Sequence, residues 1–387
     1  MEEILVKPRT RSLLEHFAAI TDARPQWKVA YPLPEILLLV VCGTIASCDD
    51  YEDIVEWGQT HLEFLRRFAP YHHGLPCADW LRVLMNRIDP DLFSACFLFS
   101  ACFMAWAREL RPDAADLIAI DGKTSRRSHD RSRGQAALHL VSAFATTQNL
   151  VLGQQAVADK SCESEAIPEL LRRLTLNGAL VTIDAIACNP TIARTIAEAG
   201  GDYLLAVKAN QPPLLREIER YFAEAPAAET DIATEIDKAH GRIETRRHLV
   251  SRRVDWLSGD RRYPDEPRFA ELSAIAMVEA TVESKAQTSI ARRYYISSAP
   301  LTAARFAPAV RRHWGIENCL HWVLDVTFKE DQSRLRAGHG AKNMAVVRHF
   351  AINIVRQAED RRSLKTRRKR AGWDPDYLAS LLSPKPC

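Results

Sequence analysis

The sequence predicts an α/β protein: a mixed sheet with helices on its faces and a β-rich insertion, preceded by an α-helical N-terminal domain. Three observations carry the prediction. Apolar residues recur at helical spacing from Leu13 to about Leu110. After Pro112 short apolar strands alternate with helices, and from about Pro226 to Pro300 strands return with no helices between them. The 387 residues suffice for two or three domains.

Taking the elements in order, Ile54, Trp57, Leu62, Leu65 and Phe68 show the helical spacing of the first part. Pro32, Pro34, Pro70, Pro76 and Pro90 divide it into several short helices. The domain is expected over 1–111, with the α/β domain over 112–358. Residues 117–120 read as a short strand ended by a turn at Asp121-Gly122. Strands over 138–145 and 150–157, joined by Thr146-Thr147-Gln148-Asn149, read as a hairpin. A helix over 163–174, a strand over 179–183 ending on Asp184, a helix over 190–199 and a strand over 203–207 complete a mixed sheet. The insertion, about 226–300, holds strands over 229–236, 243–250, 273–282 and 289–296. Helical spacing returns over 302–322 and 342–358, before a basic tail over 359–387.

At 47% hydrophobic and 26% charged residues, the chain is neither disordered nor collagen-like. Its net charge of +3 hides an uneven balance: residues 340–387 carry +7, which leaves −4 on the first 339. Nine scattered cysteines without a CxxC pair fit reduced thiols in a cytoplasmic protein and exclude a structural zinc finger. The start Met-Glu-Glu-Ile lacks the pattern of a signal peptide. The apolar stretches 36–46 and 92–107 fall short of the ~18–20 residues needed to cross a bilayer, so both read as buried helices and no membrane is expected.

Asp121 and Asp184 each directly follow an apolar strand. Two such carboxylates close together repel unless a cation neutralises them, which is what a magnesium site with hard oxygen ligands requires. The plainer alternative, that each begins a turn or caps a helix, stands beside it. For a third acid, helical spacing aligns Val310, His313, Trp314, Glu317 and Leu320. This places Glu317 on a helix whose packed side holds Trp314. Its rivals Glu330 and Asp331 lie in a polar segment and read as solvated. The Gly122-Lys123-Thr124 run is no P-loop, because Leu117 stands where the earlier glycine belongs. His72-His73 lacks a third ligand at metal spacing, and no serine or cysteine sits in a nucleophile signature. Basic residues cluster after the first acid (Lys123, Arg126, Arg127, Arg131, Arg133), on the insertion (Arg242, Arg246, Arg247, Arg252, Arg253) and in the tail from Arg361 to Arg370. Two of these clusters flank the acids in sequence, as phosphodiester chemistry requires.

Five stretches in a fixed order resemble the DDE transposases of bacterial insertion sequences, in the ISAs-type group that includes the H-repeat-associated proteins. They are Ala119-Ile120-Asp121-Gly122-Lys123, Thr182-Ile183-Asp184-Ala185, the run from Asp202 to Gln211, the run from His240 to Arg246, and the run from His313 through Glu317 to Val326. The chain departs from the family's usual residues at Ile186, Asn189 and Ala209. The resemblance, which spans about 14–357, implies a ribonuclease-H-like core with Asp121, Asp184 and Glu317 as catalytic and metal-binding acids. The insertion then accounts for the 132 residues between the last two. It further implies two Mg²⁺ ions, with Mn²⁺ able to substitute, roughly 3.5 to 4 Å apart. Its expected partners are double-stranded DNA with terminal inverted repeats and a target DNA, bound by a homodimer. Lys123, Arg126, Arg127, Lys208, Arg242, Arg246, Arg311 and Arg312 are the expected DNA contacts. Two alternatives stay open: a DNA-binding protein that keeps the fold without the chemistry, and a nuclease acting on RNA or hybrid duplexes.

Overall fold

The computed structural model describes residues 14, 17–18, 20, 22, 24–97, 117–130, 132, 134–157, 162–224, 227–239, 242–258, 269–284 and 287–382. The expected boundary at 111–112, the end of the apolar stretch 92–107, and Arg131, Arg133, His240 and Gly241 lie outside these residues. No helix among the described residues is long and apolar enough to cross a membrane.

The N-terminal helices are α1 (Leu33–Ile45), α2 (Tyr51–Thr60), α3 (Ala78–Arg87) and α4 (Pro90–Phe97). Helix α1 opens on Pro32 and Pro34, which are tolerated where the first N–H groups have no intrahelical partner. Every residue of α1 except Pro34 is buried, and apart from Glu35 and Thr44 the helix is apolar on all sides because it is surrounded. Asp50 caps α2 by accepting from the Asp53 N–H at 2.8 Å.

A single sheet of nine strands follows, in the order β3-β2-β1-β4-β5-β9-β8-β7-β6. Its first half comprises β1 (Leu117–Thr124), β2 (His139–Ala145), β3 (Leu150–Val157), β4 (Leu180–Ile183) and β5 (Asp202–Val207). Helices α5 (Glu163–Arg172) and α6 (Pro190–Glu198) connect the last three, and α7 (Pro212–Glu224) leads out of β5. Strands β1, β4 and β5 are parallel, with β2 antiparallel to β1 and β3 antiparallel to β2. This order and these directions make a ribonuclease-H-like core. The insertion strands β6 (Asp231–Ala239), β7 (Arg242–Ser251), β8 (Ala274–Glu283) and β9 (Thr288–Ser297) are not a separate layer. They continue the same sheet, because β9 pairs antiparallel with β5 from Leu204↔Ser297 to Val207↔Tyr294.

Alternation along β1 divides the core. Leu117 and Ala119 pack on one face with α1, α8 (Ala303–His313) and α10 (Gly340–Arg356); Ile118 and Ile120 pack on the other with α5, α6 and α7. Between α8 and α10 lie a π-helical turn (Ile316–His321) and the short α9 (Trp322–Val326). Strand β3 is a sheet edge, and the buried Asn353 of α10 closes it. Its carboxamide accepts from the Val151 N–H at 2.9 Å and donates to the Val151 carbonyl at 2.8 Å.

The described part of the basic tail folds as α11 (Leu364–Trp373) and α12 (Pro375–Leu382). Arg368 is buried, donating to the Thr44 carbonyl at 2.9 Å and to that of Thr327, with its guanidinium 3.8 Å from the Phe328 ring centre. Arg367 is engaged by Asp360 at 2.9 Å. These two cations tie the C-terminus to the helical core and face no solvent-borne phosphate.

Candidate active site

The first acid lies within its strand. The expected turn at Asp121-Gly122 is absent: β1 runs on to Thr124, and Asp121 pairs with Ser142 of β2. The glycine serves a neighbour, since a Cβ at Gly122 would stand 2.4 Å from Glu163 Oε1 and 2.7 Å from His139 Nε2. Those two side chains are buried and hydrogen-bonded to each other at 2.6 Å. On the parallel neighbour, Ile120 pairs with Ile183, so Asp121 and Asp184 come next on adjacent strands. Asp184 is still extended and caps the turn Ala185–Ala187, its carboxylate accepting from the Ala185 N–H at 2.7 Å. The turn-and-cap reading is therefore true of Asp184, and it coexists with a place at the site.

Helix α8 lies across β1 and β4 on the Ala119 face and delivers the third acid. It ends at His313, and the chain continues through Trp314 and Gly315 into the π-helical turn, where the Trp322 N–H reaches back five residues to the Glu317 carbonyl. The change of period breaks the single face expected from Val310 to Leu320. Trp314, expected on the packed side, is 50% exposed at the rim, with the Arg293 guanidinium 5.6 Å from its ring centre. Inside, His313 Nδ1 lies 2.9 Å from Thr182 Oγ1. Asp121, Asp184, Glu317, Lys208, His313 and Arg293 share one cleft of about 550 Å³.

The charges within this cleft are unevenly satisfied. Burial, together with the neighbouring Glu317, pushes the Asp121 carboxyl up to about 6, against the pull of His321. The hydrogen bond from His321 holds Glu317 below the ordinary carboxylate range. Burial opposes ionisation of Asp184, yet the Ala185 N–H and the Lys208 ammonium, 3.0 Å from Oδ1, outweigh it and hold that carboxyl low. Asp121, Glu317 and His321 each present a ligand atom within 4.8 Å of the others, a donor set that fits a divalent cation.

The expected basic residues are placed differently from one another. Lys123 is turned inward: its ammonium lies 2.7 Å from Asp325, 2.9 Å from Glu330 and 3.6 Å from Asp331, with its side chain only 9% exposed. This corrects its reading as a DNA contact, because three carboxylates already surround the charge. It also corrects the solvated reading of Glu330, which is buried with Lys123 and has Arg348 at 3.8 Å. Arg246 is paired with Glu244 at 2.7 Å and largely covered. Arg311 is exposed and bonded to Glu235 at 3.2 Å. Arg126, Arg127, Arg242 and Arg312 are exposed, as is Lys208 above Asp184. Sequence reasoning missed His321, His313, Arg292 and Arg293. The available signal was the i,i+4 spacing of Glu317 and His321 within a motif already singled out.

Strand order, in-register acids and a third acid on the covering helix define a protein of the ribonuclease-H-like class with a carboxylate-lined cleft. Comparison with known families makes this specific: residues 112–354 match the transposase DDE domain, and residues 14–107 match the DDE_Tnp_1-associated domain. The chain belongs to the DDE transposase family. It is 40% identical to the "H repeat-associated putative transposase YhhI" of Escherichia coli K12, over 96% of this chain and 98% of that one. It is 35% identical to the "Putative transposase YncI" of Escherichia coli O157:H7, over 96% and 95%. Among solved structures, a piggyBac transposase synaptic complex with hairpin DNA aligns at a TM-score of 0.42 and 11% identity, covering 99% of this chain and 81% of that one.

Proposed function

We propose that this protein is a DNA transposase that cleaves DNA at the ends of an insertion sequence and joins those ends to a target DNA. The observation that carries the proposal is the convergence of Asp121, Asp184 and Glu317, from two parallel strands and the helical segment above them, on one open cleft. Asp121, Asp184 and Glu317 would hold the divalent cations the family implies, Mg²⁺ in the cell and Mn²⁺ as a substitute. Such ions, when bound, activate a water or a DNA 3′-hydroxyl and stabilise the leaving oxygen of an in-line displacement.

The chain's own residues prepare that reaction. Strands β1 and β4 fix the first two carboxylates through backbone pairing, so the site needs no loop closure to align them. The Thr182 contact holds His313 at the cleft wall, and burial lowers this imidazole below its usual range. Lys208 balances Asp184 in the free protein and is exposed enough to move to a backbone phosphate. Arg126, Arg127, Arg242, Arg246, Arg311 and Arg312 remain proposed phosphate contacts, joined by Arg292 and Arg293 at the rim. The DNA substrate carries terminal inverted repeats, a homodimer pairs its two ends, and the reaction takes place in the cytoplasm.

The test is cleavage of a duplex containing the DNA that borders the gene, with Mg²⁺ or Mn²⁺. Asp121→Asn should lower cleavage by more than about 100-fold, the scale on which metal-site lesions act. Full activity in that variant would remove Asp121 from the reaction.

A further inference from the structure

We infer that Asp121, Glu317 and His321 form a self-contained cation site with mixed oxygen and nitrogen ligands. It takes up the first ion without Asp184 and prefers Mn²⁺ to Mg²⁺. The inference rests on the metal-dependent reading above and adds to it a ligand, an order of loading and a selectivity.

Position carries the argument. In the π-helical turn Glu317 and His321 stand four residues apart and face Asp121 together. His321 Nδ1 lies 3.4 Å from Glu317 Oε2 and 3.6 Å from Asp121 Oδ2, distances that leave the three groups around a common point. The imidazole is 6% exposed, and its other nitrogen, Nε2, is buried with no hydrogen-bond partner among the described residues. The ring's polar contacts are thus directed at the two carboxylates. A π-helical turn is an unusual local structure that concentrates at functional sites, and here it is the element that brings His321 under Glu317.

Asp184 stands apart from this group. Its carboxylate is engaged by the Ala185 N–H and by Lys208, so it joins a cation only once the ammonium has moved. Ligand chemistry supplies the selectivity. Mg²⁺ prefers oxygen ligands in a near-ideal octahedron and sheds water reluctantly, whereas Mn²⁺, the first ion of the transition-metal series, holds an imidazole nitrogen more readily than Mg²⁺ does. One imidazole among carboxylates therefore raises affinity for Mn²⁺ more than for Mg²⁺.

The experiment uses the full chain free of DNA. Mn²⁺ is added and the nitrogen coupling of the bound ion is read by pulsed electron spin resonance; Mn²⁺ and Mg²⁺ affinities are measured by calorimetry. The wild-type protein should show coupling to an imidazole nitrogen, a readout that needs no variant to fold. In His321→Gln the coupling should vanish and Mn²⁺ affinity fall about tenfold or more, with Mg²⁺ affinity changed much less. Asp184→Asn should leave the first binding event nearly unchanged. Bound Mn²⁺ without nitrogen coupling, or equal losses for both ions in His321→Gln, would show that His321 only positions the carboxylates and overturn the inference. Strong loss in Asp184→Asn overturns the order of loading. No saturable binding to the free protein also overturns it, while metal-dependent cleavage by the same preparation would leave the transposase reading standing; without either, both fail.

Discussion

The two halves of the nine-stranded sheet obey different rules. In the half that holds the acids, β2 is buried at every residue and β1 through its first four, because helices cover both faces. In the inserted half, β7 and β9 are buried only over their last four residues; the rest of β9 is exposed, and the rest of β7 is exposed or half-buried. Charge is carried there by Arg247, Glu279 and Arg292, which form a ladder across three strands at 3.2 and 2.8 Å. One half is built to hold carboxylates in place, and the other presents charge beside them. Substitutions in the first should therefore unfold the protein or disable it, and substitutions in the second should weaken DNA binding alone.

The largest effects on stability belong beside the acids. Lys123→Met removes the cation shared by Asp325, Glu330 and Asp331 and leaves the buried Glu330 only the more distant Arg348, and breaking a buried pair in this way costs about 3–5 kcal/mol. Urea denaturation should show it, and a loss under 1 kcal/mol would mean that water reaches the cluster. His349 of α10 comes next. It is buried with both ring nitrogens unpartnered among the described residues, and burial lowers it to about 4 from 6.5. The folded state thus resists protonation while the unfolded chain accepts it below about 6.5. This contribution is intact above pH 6.5 and is lost as pH falls towards 4, amounting to about 3 kcal/mol. His349→Leu should flatten that part of the stability curve, and an unaltered acid limb would contradict it. Asn353→Leu leaves both Val151 backbone groups unpaired at the covered edge of β3, for about 1–3 kcal/mol.

How far the sequence could be read follows the same division. Strands over 138–145, 150–157 and 203–207 were legible because strands buried on both faces read as apolar runs, and the insertion strands were legible from β-branched residues between turn signals. The three acids were legible as motifs, since each directly follows or lies within a patterned element. What could not be read were positions where a tertiary partner overrides local character. Asp121-Gly122 looks like a turn, yet the buried His139 and Glu163 account for the glycine and the strand continues. Lys329-Glu330-Asp331-Gln332 looks solvated, yet Lys123, more than 200 positions away, draws Glu330 inside. Helix α7 has no counterpart in the sequence reading; it opens on Pro212-Pro213, and proline suits a helix's first turn. The tail reads in sequence as a cluster of basic residues, but the carbonyls of Thr44 and Thr327 and the ring of Phe328 claim Arg368. Charge in sequence does not reveal whether its partner is solvent, a distant carboxylate or a substrate.

The smallest effect on stability gives the sharpest test of the division. Arg242 and Arg292 lie on the exposed stretches of β7 and β9, and Arg292 is more than half exposed despite its contact with Glu279. Exposed pairs of this kind contribute at most about 1 kcal/mol, so Arg242→Gln with Arg292→Gln should leave the melting temperature nearly unchanged. If both arginines meet phosphate, the double variant should flatten the plot of log affinity against log salt by about 2, close to one unit per lost contact. Lost stability with an intact salt slope would reverse the assignment, making the inserted strands part of the scaffold and moving the DNA path elsewhere. Lost salt dependence with intact stability would leave the acids aligned but poorly supplied with substrate, and cleavage should then recover as DNA concentration is raised. Asp121→Asn should show no such recovery, because no amount of bound DNA replaces a missing carboxylate.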